Sequence, residues 1–101
     1  MKYFLIEGMF FNPIPVGGIE LDVLMHEHLK RLEQKVTEDK ILFAGPKRDN
    51  SGVIIVMKGE SSAEIEEFLN NCPLAIKKVQ YYKITEFKCK NANEKVLNWF
   101  E

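Results

Sequence analysis

The chain has 101 residues, of which 46% are hydrophobic and 11% aromatic, and its formal net charge is -1. These values predict one globular domain and exclude a disordered chain. The near-neutral charge argues against a nucleic-acid binder, since such proteins usually present a basic face. The two cysteines are too few for a disulfide scaffold, so we predict a cytoplasmic protein with reduced thiols.

The first six residues resemble the start of a signal peptide, but Glu7 interrupts the apolar run and no small-residue cleavage site follows. No segment approaches the roughly 20 apolar residues that a membrane-spanning helix requires. We therefore expect no membrane partner.

The first half of the chain predicts a strand, a long helix and two further strands. Residues 3–10 are apolar and aromatic enough for a central strand, and a loop rich in proline and glycine follows. Residues 19–38 predict a helix, because apolar residues recur at three- and four-residue spacing. The stripe predicted to face the core consists of Leu21, Met25, Leu29, Leu32 and Val36. Apolar runs at 41–44 and 53–57 predict the next two strands, joined by a polar hairpin loop.

The second half predicts a helix, a short helical turn, a strand and a tail helix. Ser61 and Glu64 form a capping box at the start of the second helix. Pro73 suits the first position of the short helix that follows. Residues 79–87 have the mixed character of an edge strand, and Asn91 is predicted to cap the tail helix.

The predicted order is βαββαβ with an extra C-terminal helix. Right-handed crossovers turn this order into an α+β, ferredoxin-like fold, with both helices on one face of an antiparallel sheet. The strand at 53–57 is apolar on both faces, so the face without helices also needs cover. A second copy of the chain would supply that cover. We therefore predict a homodimer through the sheet face, which is a dimeric α/β barrel.

His28 is the candidate catalytic residue. Helical geometry places it about 60° from the centre of the predicted stripe, where its side chain reaches a cleft between helix and sheet. An imidazole with a pKa near 6.5 serves as an acid or a base at neutral pH. A half-buried histidine that only packs and forms hydrogen bonds is the alternative. His26 lies further from the stripe and is expected to face solvent.

The sequence predicts neither a metal site nor a cofactor. His26 and His28 project about 200° apart on one helix, so they cannot bind the same ion. Cys72 and Cys89 are not part of a Cys-x-x-Cys pair. The chain also lacks the glycine-rich phosphate-binding motifs and the Gly-x-Ser-x-Gly motif.

Three short segments resemble the YCII-related family of the dimeric α/β-barrel superfamily. They are His28-Leu29, residues 42–46 ending in Gly45-Pro46, and the residues around Pro73. The resemblance extends over about residues 2–87. We therefore predict a YCII-like domain at residues 1–88 and a helical tail at 89–101.

The resemblance implies that the histidine of the first helix acts as an acid or base on a small organic molecule. The family usually has an Asp-Pro pair where this chain has Cys72-Pro73, and that aspartate is thought to work with the histidine. Three explanations stay open: activity is lost, another acid such as Glu7 or Asp22 substitutes, or the cysteine does different chemistry. The predicted substrate-binding residues are Glu7, Gly45, Cys72 and Pro73.

Two functions follow from these observations. The first is an enzyme or former enzyme that moves a proton in a lyase- or isomerase-like reaction, since some relatives perform such reactions on small ring compounds. The second is a non-catalytic dimeric module that binds a small ligand or has an accessory role. The retained His28 favours the first, and the missing carboxylate at Cys72 favours the second.

Overall fold

The computed structural model describes residues 1–100, so Glu101, at the end of the predicted tail, lies outside the described residues. Within residues 1–100, no helix is both long enough and apolar enough to cross a membrane. The elements in chain order are β1 (Lys2–Phe10), α1 (Gly18–Thr37), β2 (Ile41–Pro46), β3 (Gly52–Gly59), α2 (Ser62–Asn70), α3 (Pro73–Ile76), β4 (Gln80–Phe87), α4 (Glu94–Leu97) and a 3₁₀ turn (Asn98–Phe100).

The four strands form one sheet in the order β2-β3-β1-β4, with antiparallel neighbours throughout. β1 is central and β4 lies at an edge, as their sequences predict. This order, with two helical crossovers, confirms the predicted ferredoxin-like α+β fold.

Local signals explain where the later helices begin. The Ser61 hydroxyl accepts a hydrogen bond from the Glu64 backbone N–H and so caps α2. Pro73 occupies the first turn of α3, where its missing N–H costs nothing. The predicted cap of the tail helix was wrong by two residues, because the side chain of Asn93, and not that of Asn91, accepts the Lys95 backbone N–H.

Alternation along the strands separates two faces of the sheet. Phe4 and Ile6 point toward the helices and pair with Met57 and Ile55 of β3. All four side chains are buried, and they pack with Leu32 of α1 and with Ile65 and Leu69 of α2. The core therefore lies between the helices and one sheet face, and we call the other face the open face.

The predicted apolar stripe of α1 was partly wrong. Leu24, His28 and Leu32 are the buried residues of this helix, whereas Leu29 and Val36 are half exposed. The spacing of apolar residues identified the helix, but the buried face is rotated toward His28. Leu29 and Val36 instead border a cavity, which the next section describes.

The C-terminal tail covers one end of the open face. The Trp99 indole lies 5.7 Å from the Tyr3 ring, measured between centroids, and its Nε1 donates to the Asp39 carbonyl at 3.0 Å. The Lys58 ammonium donates to the Trp99 carbonyl at 2.7 Å and lies 4.7 Å above the indole ring. The Tyr3 hydroxyl donates to the Phe100 carbonyl. These contacts attach the tail to β1 and β3.

Replacing Trp99 tests this attachment. We expect Trp99→Ala to lower the free energy of unfolding by about 3 kcal/mol, since it removes a buried aromatic side chain. Leu97→Ala is the control in the same tail, because Leu97 is exposed, and it should change stability by less than about 0.5 kcal/mol. Equal effects in chemical denaturation would contradict the described packing.

Candidate functional site

A cavity of about 460 Å³ lies between α1 and the sheet, where the hydrophobic core is divided into two clusters. Leu32 belongs to the larger cluster, and Leu24 belongs to the smaller one with Leu74 and Val79. His28 lies one helical turn from each leucine and thus between the two clusters. The gap in apolar packing consequently opens beside a histidine.

The wall of the cavity is mostly apolar, and β1, α1, β2, β3, α3 and β4 all contribute to it. The lining residues are Phe10, Met25, His28, Leu29, Leu32, Glu33, Val36, Ala44, Gly45, Pro46, Val53, Leu74 and Gln80. Such a volume is within the range of small-molecule sites, which combine apolar walls with few polar groups.

The His28 imidazole is 2% exposed, and neither ring nitrogen has a hydrogen-bond partner among residues 1–100. Buried polar groups without partners typically cost about 1–3 kcal/mol each. An imidazole that only packed in the core would be expected to have partners. Both ring nitrogens are thus buried and unpaired within residues 1–100, in a residue that lines the cavity.

Burial and, to a smaller extent, the nearby positive charge of Arg31 together lower the pKa of His28 from 6.5 to about 4. The ring is therefore neutral at pH 7. A neutral imidazole has one nitrogen that donates and one that accepts, so it can take up a proton from a bound molecule.

Gln80, at the start of β4, is the second buried polar residue on the wall. Its side chain is 1% exposed, and neither its amide oxygen nor its amide nitrogen has a partner among the described residues. Sequence reasoning did not single it out. The available signal was strand alternation, which places Gln80 on the same face as Tyr82 and Ile84 and so toward the helices.

The structure brings together only some of the predicted site residues. His28 and Gly45 both line the cavity, Gly45 from β2. Cys72 and Pro73 are absent from its lining. Glu7 lies on the open face of the sheet and pairs with Lys47 at 3.4 Å, so its carboxylate is on the side away from His28.

The Cys72 thiol is fully buried behind α2 and contacts the Phe68 carbonyl at 3.5 Å. Burial raises the pKa of Cys72, and the Arg31 guanidinium and the Tyr82 hydroxyl partly oppose that rise. A thiol in this environment stays protonated and is a poor nucleophile.

The carboxylate on the cavity wall comes from Glu33 of α1, whose side chain is exposed at the mouth. Asp22, the other acid considered from the sequence, is exposed and does not line the cavity. Among residues 1–100 there is no group of three or more His, Cys, Asp or Glu side chains placed to hold a metal ion.

Comparisons with known proteins agree with the fold. The sequence model of the YCII-related domain matches residues 11–88. A solved structure of 5-chloro-2-hydroxyhydroquinone dehydrochlorinase from Burkholderia phenoliruptrix AC1100, in complex with 2,5-dihydroxybenzoquinone, is similar with a TM-score of 0.59 and 21% sequence identity. The match covers 85% of this chain and 93% of that one. No curated protein matches the sequence.

The lowered pKa of His28 predicts how stability depends on pH. Between pH 6.5 and 4 the unfolded chain binds a proton at this histidine and the folded chain does not, so acidification favours unfolding. We expect the free energy of unfolding to fall by about 2 kcal/mol from pH 7.5 to pH 5 through this group.

Chemical denaturation of the wild type and of His28→Leu at these two pH values checks the prediction. The variant should lose most of this dependence, and His26→Asn, which removes an exposed histidine, should keep it. The same pH dependence in all three proteins would show that His28 titrates normally.

Proposed function

Since the chain belongs to the YCII-related domain family, we propose that it is a small-molecule enzyme in which His28 moves a proton in a lyase- or isomerase-like reaction. The observation that carries this proposal is the His28 imidazole, which is buried, neutral and without partners on the wall of an apolar cavity. The apolar cavity can bind the carbon skeleton of a small ring, and the imidazole can act as the base that accepts a proton from that ring.

The proposed step is an elimination. Neutral His28 accepts a proton from a hydroxyl or C–H group of the substrate. The electron pair left behind forms a double bond and expels a leaving group, which departs with its own bonding pair. The dehydrochlorinase that shares this fold acts on a hydroxylated, chlorinated ring, and loss of hydrogen chloride from such a ring has this balance of atoms.

A non-catalytic ligand-binding module is the second candidate. It is favoured by the absence of a carboxylate at Cys72 and by the weak basicity of an imidazole with a pKa of about 4. In this case the cavity and His28 bind a ligand that leaves unchanged. The two candidates differ in turnover and agree on where the ligand binds.

Turnover of 5-chloro-2-hydroxyhydroquinone, followed as chloride release under nitrogen, tests the enzyme proposal. We expect His28→Ala to reduce the rate by about 10²- to 10⁴-fold, which is the usual contribution of a general base, while exposed His26→Ala leaves it unchanged. On the acid side of the pH profile, kcat/KM should decrease with a midpoint near pH 4 and not near pH 6.5, because His28 stays in its neutral, basic form down to about pH 4.

A rate that His28→Ala does not change would contradict the proposed role of His28. Binding of 2,5-dihydroxybenzoquinone that shifts the His28 ring signals in NMR, without turnover of the chlorinated probe, would favour the binding module.

We further propose that two copies of the chain pack through the open face. Exposed Leu5 of β1 and Phe43 of β2 lie on this face with the partly buried Met9 and Ile54, at the end that the tail does not cover. Val53 and Ile55 point to the helices instead, because the side chains of β3 alternate between the helix-facing side and the open face. A stable interface of this kind typically buries more than about 1,000 Å² in total.

Light scattering at micromolar concentration should give twice the mass of the chain. We expect Phe43→Asp to give a monomer, because it would place a charge in the apolar contact. Ile19→Asp is the matched control, since Ile19 is an exposed residue on α1, and it should remain dimeric. A monomeric wild type would contradict this proposal and leave the cavity proposal intact.

A further inference from the structure

The Gln80 amide is the most conspicuous polar group that the proposed proton transfer does not use. It lines the same cavity as His28. It also lines a second cavity on the same face of the sheet, together with Tyr82 and Ile84. Gln80 lies in the regular strand β4, and both polar atoms of its side chain are buried without hydrogen-bond partners among residues 1–100. An apolar residue of similar size would satisfy the packing at this position without unpaired groups.

Gly8 of β1 provides the room that this amide occupies. It is buried on the helix-facing side of the sheet, in a strand that is otherwise rich in large side chains. A Cβ atom at Gly8 would lie 2.9 Å from Cδ of Gln80, 3.1 Å from its Nε2 and 3.2 Å from its Oε1. Any other residue at position 8 would therefore displace the amide, so the position of the Gln80 side chain depends on Gly8.

We propose that Gln80 is the second hydrogen-bonding residue of the His28 cavity and selects an uncharged ring compound with oxygen substituents that donate and accept hydrogen bonds. This inference rests on the proposed binding of a small molecule in the cavity. The amide has two donor hydrogens and an acceptor oxygen, so a hydroxyl group satisfies it better than an ether does. The apolar remainder of the wall accommodates the ring and disfavours a charged group.

The experiment compares two probes of the same skeleton, hydroquinone and 1,4-dimethoxybenzene, of which only the first donates hydrogen bonds. Binding is followed by titration calorimetry, with the His28 ring signals in NMR reporting on the cavity. We expect wild type to prefer hydroquinone by about tenfold or more. Gln80→Met, which keeps the length of the side chain, should remove most of that preference by weakening hydroquinone alone.

Two controls separate recognition from folding. Gln34→Met makes the same chemical change on the exposed side of α1 and should leave both affinities unchanged. Gln80→Met should also raise Tm, because it removes a buried amide without partners, whereas a glutamine with only a structural role would lower Tm on removal. Gly8→Ala should weaken hydroquinone binding in the same direction, because its methyl group displaces the amide.

Two results would overturn the inference. One is an unchanged preference in folded Gln80→Met while the probes still shift the His28 signals. The other is a wild type whose cavity binds neither probe. Failure of the proposed proton transfer has a different signature, since hydroquinone would then bind in a manner that depends on Gln80 while His28→Ala leaves turnover of the chlorinated probe unchanged.

Discussion

Desolvation of His28 is the constraint on which the candidate site depends. The side chain occupies the middle of the buried face of α1, between Leu24 and Leu32, where a leucine would join the two halves of the core. Burial of an imidazole removes its water, and no residue among 1–100 replaces it. The ring therefore stays neutral, and it lies on the wall of a cavity that the neighbouring apolar residues leave open.

Position 72 and His28 are affected by the same positive charge. Cys72 has Arg31 and Tyr82 as its polar neighbours, and His28 is affected by the same guanidinium. An aspartate at position 72 would place a negative charge beside Arg31. In this chain the positive charge is not offset by a carboxylate at position 72, and it favours a neutral imidazole. Burial and this positive charge together keep the histidine unprotonated down to a pH of about 4.

The two faces of the sheet pack against different parts of the chain. One face carries the core and the cavity, and the Gln80 amide is buried on it. The open face carries the tail at one end, where Trp99 and Lys58 pack together, and exposed apolar residues such as Leu5 and Phe43 elsewhere. Because alternate residues of each strand point to different faces, Leu5 and Phe43 of the proposed dimer surface are not among the residues that line the cavity.

Local chemistry in the sequence was sufficient for the element order and the ferredoxin-like topology. The capping hydroxyl of Ser61, the helix start at Pro73 and the period-two pattern of the strands depend on near neighbours in the chain. The three- and four-residue spacing of apolar residues likewise predicted that His28 of α1 borders the core. Distant contacts decided the rest. Leu29 and Val36 border a cavity because the packing rotates α1 toward His28. Gln80 lines the same cavity, and its amide is buried because Gly8, which is distant in sequence, leaves room for it.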